Sequence, residues 1–218
     1  MRPLDAKPDL TMQTHAAIRA AIMSGDLAPS APLTQEDLAG RLGVSRQPIS
    51  HALILLKREG LVVDRGRKGQ MVAPIDADRL LALYQVRGAL DGLAARLAAG
   101  HAGDGCARQL DTLIADGRAA AAKRDIGALV AADVAFHQAL QALSGNAEIA
   151  GTAEGFWPHM ARSMRVVLED ADGWAAIWDE HAAIAGAVIA GDAAGAATLA
   201  TRHAEHAGET THRRLTSD

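Results

Sequence analysis

The sequence predicts a mainly α-helical protein in two parts: a small helical unit carrying a β-hairpin, followed by an antiparallel all-α helical bundle. Three observations carry this prediction. Apolar residues recur at helical spacing over most of the 218 residues. β-like runs are confined to the two sides of residues 64–69. After Pro74 the chain turns Ala-rich and almost free of β-branched runs. The expected boundaries are a flexible arm over 1–10, a first domain over 11–75 and a second over 76–218.

The arm contains Pro3 and Pro8, which leave little chance of regular structure. A helix is predicted from Thr11 to Met23, with Gly25 supplying a left-handed end. Leu27 to Pro32 read as an extended connector, because residues before proline avoid the helical region. Thr34, with Asp37 three residues on, marks the start of a short helix that runs to about Arg41. Gly43 sits in the turn behind it. Ser45 is placed to cap the next helix, whose first turn tolerates Pro48, and this helix stops at Gly60. Leu61–Val63 and Gln70–Val72 flank Asp64-Arg65-Gly66-Arg67-Lys68-Gly69, a hairpin with three cations near its tip. From Asp78 to Arg214 breaks fall at Gly100–Gly105, Ser144–Asn146, Pro158, Ala171–Gly173 and Gly191-Asp192, which divides the bundle into about six helices.

Composition narrows the function. A hydrophobic share of 49% places the chain among globular proteins, and its apolar stretches read as too interrupted to span a bilayer. The N-terminus lacks a basic-then-apolar leader pattern, and the lone Cys106 excludes an internal disulfide; both point to the cytoplasm. The net charge of −4 conceals an asymmetry: residues 1–75 hold ten Lys/Arg and seven Asp/Glu, whereas 76–218 hold twelve and nineteen. A basic front on an acidic back suits a nucleic-acid reader tethered to a second domain.

Helix, glycine turn, helix and basic hairpin together define a winged helix-turn-helix, whose second helix enters the DNA major groove while the wing and first helix meet phosphate. The candidate contacts are Ser45, Arg46, Gln47, Ser50 and His51 on the second helix, Arg65, Arg67, Lys68 and Gly69 in the wing, and Thr34 and Arg41 on the first helix. The segments Ala21–Pro29, Leu33-Thr34, Leu38-Ala39, Leu42–Arg46, Pro48-Ile49, Ala52-Leu53, Leu56 and Glu59–Leu61 resemble the reader domain of the GntR family of transcriptional regulators. That resemblance implies a homodimer on a pseudo-palindromic double-stranded operator, with Arg46 at the family's DNA-contacting arginine; repression is the expected sign, with activation as the alternative. Two positions depart from it. The family usually carries arginines where this chain has Glu36 and Ser50; an acid repels phosphate, and serine cannot grip guanine in a bidentate fashion.

In the second domain polar residues stand on apolar helical stripes. Leu129, Asp133, Phe136 and Leu140 form one, with His137 a turn beyond Asp133; Trp174, Ile177, His181, Ile184 and Val188 form another; Ala196, Leu199, His203 and His206 form a third. A carboxylate facing a bundle core is costly unless it is paired or metal-bound. Spacing of i, i+4 lets Asp133 and His137 face one centre, which His181 and His203 could complete. Such a set suits a divalent ion, zinc first, with nickel, manganese or iron as alternatives. Spacing alone favours the plainer alternative, core histidines hydrogen-bonded to one another and to Asp133, because nine histidines supply many coincidences. Val86-Arg87, Leu90, Leu93–Ala98, Asp133–His137, Ser144–Asn146, Glu180-His181, Ile184 and Ala190–Asp192 resemble the ligand-binding (FCD) domain of the FadR subfamily. In metal-binding members of that group an Asp-x-x-x-His pair and two later histidines hold a divalent cation, and these positions fall on Asp133, His137, His181 and His203.

Arg87 lies on an apolar face between Leu83 and Leu90 and needs an anion. Its partner is either an acid of the chain such as Asp91 or, as the resemblance implies, the carboxylate of a small organic-acid effector, with Tyr84 lining the same pocket and His206 and His159 as weaker candidates, His206 having solvent as its alternative. Three functions then compete: an effector-controlled regulator, the same reader joined to a metal-free dimerisation domain, and a metal-dependent hydrolase. The reader domain favours the first over the last, because a hydrolase has no use for it.

Overall fold

The computed structural model describes residues 10–101, 103–168 and 173–217, and the arm expected over 1–10 lies outside them except for Leu10. The chain divides into two compact units that meet between Ile75 and Asp76.

The first unit begins with α1 (Leu10–Ser24). Gly25 ends it at φ +89°, a left-handed conformation that favours glycine. β1 (Pro32–Leu33) leads into α2 (Gln35–Leu42), whose N-cap Thr34 accepts a hydrogen bond from the Asp37 backbone N–H. Gly43, at φ 65°, turns the chain into α3 (Arg46–Arg58). Ser45 occupies the N-cap of α3 in an extended conformation but makes no side-chain capping bond, so the cap expected there is positional only. β2 (Val62–Asp64), a 3₁₀ turn over Gly66–Lys68 and β3 (Gln70–Val72) form the wing.

The sheet order is β1-β3-β2, all antiparallel, with Leu33 opposite Gln70 and Val63 opposite Met71. The third strand corrects the sequence reading, which left Pro32 in a connector. Two residues are too few to show alternation, and the Pro32 nitrogen has no hydrogen to donate, so β1 sits at an edge. The core of this unit joins Ile18 and Ile22 of α1 to Leu38, Ile49, Leu53 and Leu56 of the helix pair and to Val62 and Val72 of the wing. His15 and Arg19 on α1 both reach Glu59 just past α3, at 2.5 and 3.1 Å.

The second unit is a bundle of seven helices among the described residues: α4 (Ala77–Ala99), α5 (Asp104–Lys123), α6 (Ile126–Leu143), α7 (Ala147–Ala153), α8 (Trp157–Val167), α9 (Trp174–Ile189) and α10 (Ala193–Thr216). The break that the sequence did not signal separates α5 from α6. There Arg124, not a glycine, takes the left-handed position at φ 55°, and Asp125 caps α6 by accepting from the Ala128 N–H. α4 packs closely along α10. Gly88 and Gly92 face Ala204 and Thr201, and Gly208 faces Tyr84; a Cβ at Gly92 would overlap the Thr201 hydroxyl. Gly117 on α5 gives way in the same manner to the Trp178 ring. Small residues at these crossings let long helices approach while bulky side chains fill the remaining space.

α6 corrects a second expectation, because it is long and apolar enough by length and composition to cross a membrane. Its Leu129, Val130, Phe136 and Leu140 are instead buried in the bundle beside Asp133, His137 and Gln141.

Candidate functional site

α3 presents the first unit's exposed polar face. Arg46, Gln47 and His51 are exposed and Ser50 is half-buried, while Pro48, Ile49, Ala52 and Leu53 turn into the core. Ile54, 48% exposed and four residues beyond Ser50, continues that face as an apolar group that the sequence reading overlooked. The wing tip, Arg65 through Gly69, is exposed, and Lys57 ties the end of α3 to the wing by an ion pair with Asp64 at 2.5 Å. Arg41 lies 3.8 Å from Asp37, and Arg46 Nη2 lies 3.3 Å from Glu36 Oε1. The acid at position 36 is therefore paired with Arg46.

The second unit holds a buried polar cluster. α6 supplies Asp133 and His137, α9 supplies His181 and α10 supplies His203, all at most 5% exposed. One ligand atom from each lies within 4.8 Å of the others. His181 Nε2 is 3.1 Å from His137 Nε2 and 3.4 Å from Asp133 Oδ1. The rings of His137, His181 and His203 stand with centroids 4.4 to 5.3 Å apart. Burial pushes His181 well below its ordinary pKa, helped by His203 and His137; burial and then Arg87 lower His137. Both rings are thus neutral near pH 7, the form that offers a lone pair to a cation.

Neighbouring groups orient these ligands. Glu180 Oε2 lies 2.7 Å from His203 Nδ1, so this ring nitrogen donates to the carboxylate and Nε2 is the one not engaged by Glu180. The hydrogen bond to His203 also lowers the Glu180 pKa. Arg87 donates from Nε to Asp91 Oδ2 at 2.9 Å and brings Nη2 to 2.5 Å from His137 Nε2. Gln141 donates to Asp91 Oδ1 at 3.1 Å. Burial works against an ionised Asp91, but His137 and Arg87 outweigh it and hold its carboxyl well below the usual range.

Of the two expectations for Arg87, the ion pair with Asp91 is formed; the residue also lines a cavity of about 220 Å³ with Tyr84, Asp133 and His203. Its guanidinium lies 5.4 Å over both Tyr84 and Trp157. His206 sits at the cavity rim, with a side chain 62% exposed, 3.2 Å from Glu180 Oε1. It has left the buried stripe of α10, which follows Ala196, Ala200, His203 and Ala204. His159 pairs with Arg79 at 3.4 Å and does not line the cavity. Gln141 and Glu180 were not read as functional from sequence. The available signals were Gln141 at i+4 from His137, the same interval that links Arg87 to Asp91, and Glu180 directly before His181.

The donor set suits a divalent ion. Asp133 Oδ2 and His181 Nδ1 are buried without a hydrogen-bond partner, a cost that a core of histidines bonded among themselves would avoid. Arg87 is ion-paired with Asp91, while Asp133 has His137 and His181 as its polar neighbours.

Comparison with known proteins places both units. Residues 10–72 match the profile described as bacterial regulatory proteins, gntR family, and residues 82–206 match the FCD domain. An HTH-type transcriptional regulator from an unstable DNA locus of Streptomyces ambofaciens is 32% identical over 194 residues, covering 87% of this chain and 79% of the relative. The HTH-type transcriptional repressor RspR of Escherichia coli K12 is 28% identical over 137 residues, 63% of this chain and 60% of its own length. Among solved structures, E. coli McbR/YncC superposes with a TM-score of 0.80 at 19% identity, over 95% of this chain and 99% of that one. A GntR regulator from Rhodococcus sp. RHA1 gives 0.79 at 21% identity, over 92% and 96%. The chain is therefore a GntR-family transcriptional regulator, not an enzyme, with the family's DNA-reading domain in front and an FCD domain behind.

Proposed function

We propose that this regulator senses a small organic acid through a divalent metal ion held by Asp133, His137, His181 and His203, and that it acts as a homodimer on a pseudo-palindromic operator in the bacterial cytoplasm. The observation that carries the proposal is the convergence of four buried ligand atoms within 4.8 Å, with Asp133 Oδ2 and His181 Nδ1 left unpartnered. Three nitrogens and one carboxylate favour zinc, with nickel, manganese or iron as alternatives. A bound ion would supply a Lewis-acidic anchor for a carboxylate. Such a set is also the pattern of the metal-binding FadR subfamily.

The effector enters the adjacent cavity, where Arg87, Tyr84 and His206 join the metal ligands. It controls DNA binding by preferring one arrangement of the dimer, with a coupling of typically about 1–3 kcal/mol. DNA is read by Ser45, Arg46, Gln47, Ser50 and His51, while Thr34, Arg41 and the wing residues Arg65, Arg67, Lys68 and Gly69 hold the backbone. RspR is named a repressor, and repression is the sign proposed here.

Titration of an operator fragment with and without effector tests the whole reading. If the effector weakens operator binding, the operator weakens effector binding by the same factor. Equal affinities in all combinations would exclude effector control.

A further inference from the structure

Ile49, Leu53 and Leu56 of α3 are buried in the core of the reader, whereas Ile54 stays 48% exposed. It shares its side of the helix with Gln47, Ser50 and His51, at the spacing i, i+3, i+4 and i+7. Ser50, one turn earlier, is short and half-buried, so it sets no long polar group beside Ile54. The core does not need this isoleucine, and water gains nothing from it.

A lone exposed isoleucine is ordinary on a solvated helix, but the charge along α3 suits a different neighbour. The helix carries Arg46 at its first position, Lys57 and Arg58 at its end, and no Asp or Glu between them. Arg46 and Lys57 meet Glu36 and Asp64 on neighbouring elements. The end cations stand apart by roughly 18 Å of helix rise, against a DNA major groove about 12 Å wide. Positive ends suit the phosphates on the two sides of the groove, and the middle of the face, Gln47 to Ile54, suits base edges. Ile54 is the apolar member of that middle.

Of the groups on the groove floor, one matches an isoleucine. Thymine presents a C5-methyl, whereas guanine presents the acceptors N7 and O6. Guanine held against Ile54 loses water from both acceptors and gains no donor in return. We infer that Ile54 is a specificity-determining residue that packs on the 5-methyl group of a thymine in each operator half-site and disfavours guanine there. This rests on the assignment of α3 as the base-reading helix above.

The test begins by selecting a duplex from a random-sequence library with the full chain. Each thymine of the selected duplex is then replaced in turn by uracil, which keeps every hydrogen-bonding group and removes only the methyl. Binding is read by fluorescence anisotropy. At one thymine per half-site, uracil should weaken binding roughly fourfold, the worth of about one buried methyl. Ile54→Ser should bind the thymine and uracil duplexes alike at that position, and Ile54→Val, which keeps a branched apolar group, should retain at least a twofold preference. A selected duplex with no methyl-sensitive thymine, or a methyl effect that persists in full at every position in Ile54→Ser, overturns this inference and leaves the reader assignment standing. A chain that binds neither selected nor random duplex overturns both.

Discussion

Glu180 Oε2 sits 2.7 Å from Nδ1 of His203, and this contact decides which ring nitrogen is free to bind a cation. Partners of this kind typically change metal affinity by about 10–100-fold when removed. Glu180→Ala should therefore weaken zinc binding by about that factor. Glu180→Gln should cost less, because its amide oxygen can still accept from Nδ1. Competition against a chromogenic chelator measures both. Identical affinities in wild type and Glu180→Ala would show that the His203 ring is oriented by packing alone.

Arg87 and Asp91 form a fully buried ion pair one helical turn apart. Arg87→Met should lower folding stability by about 3–5 kcal/mol, since it leaves Asp91 a buried carboxylate beside Gln141. Adding Asp91→Leu to Arg87→Met should recover most of that loss, because no charge is then stranded. Denaturant unfolding of the two single variants and the double variant gives the comparison, and additive losses would contradict the pairing.

A Cβ on Gly92 of α4 would overlap the Thr201 hydroxyl oxygen of α10. Gly92→Ala should cost about 1–3 kcal/mol as the helices are forced apart. Combining it with Thr201→Ala, which clears the hydroxyl, should restore part of the loss even though the Thr201 bond to the Gly88 carbonyl is removed. Thermal unfolding reads the outcome.

How far the sequence reaches differs between the two units. The reader was legible nearly throughout, because its turns depend on Gly25 and Gly43 and its helix pair on a regular apolar spacing. β1 escaped because two residues carry no periodicity. In the bundle, the i, i+4 interval and the placement of His181 and His203 on apolar stripes picked out four residues that come together in space. The α5–α6 break was hidden because Arg124 takes a conformation usually left to glycine. The pocket was the least legible part. Trp174 and Ile177 read simply as core spacing, and only their placement beside Asp133 and His203 gives them a wall to form.

Glu36 faces Arg46 across the turn of the reader at 3.3 Å. The pair is exposed and contributes little to stability, so breaking it tests the proposed DNA contact of Arg46. Glu36→Ala should raise affinity for DNA and steepen the dependence of log K on log salt by about one, since Arg46 becomes free to neutralise a phosphate. Arg46→Ala should cost about 1–3 kcal/mol if the arginine reads a base, or mainly flatten the salt slope if it holds phosphate. Fluorescence anisotropy at several salt concentrations separates the two, and unchanged binding in both variants would remove the pair from the interface.

The buried centre is tested most directly by its metal content. Elemental analysis of the full chain, purified without chelator and then given zinc, should find one divalent ion per chain. His181→Ala should abolish it, and chelation of the wild type should lower its unfolding temperature, because an ion that binds the folded state alone stabilises that state. Protein that stays metal-free after zinc is added, with the same unfolding temperature with and without chelator, would contradict the account and leave Asp133, His137, His181 and His203 as a metal-free polar core.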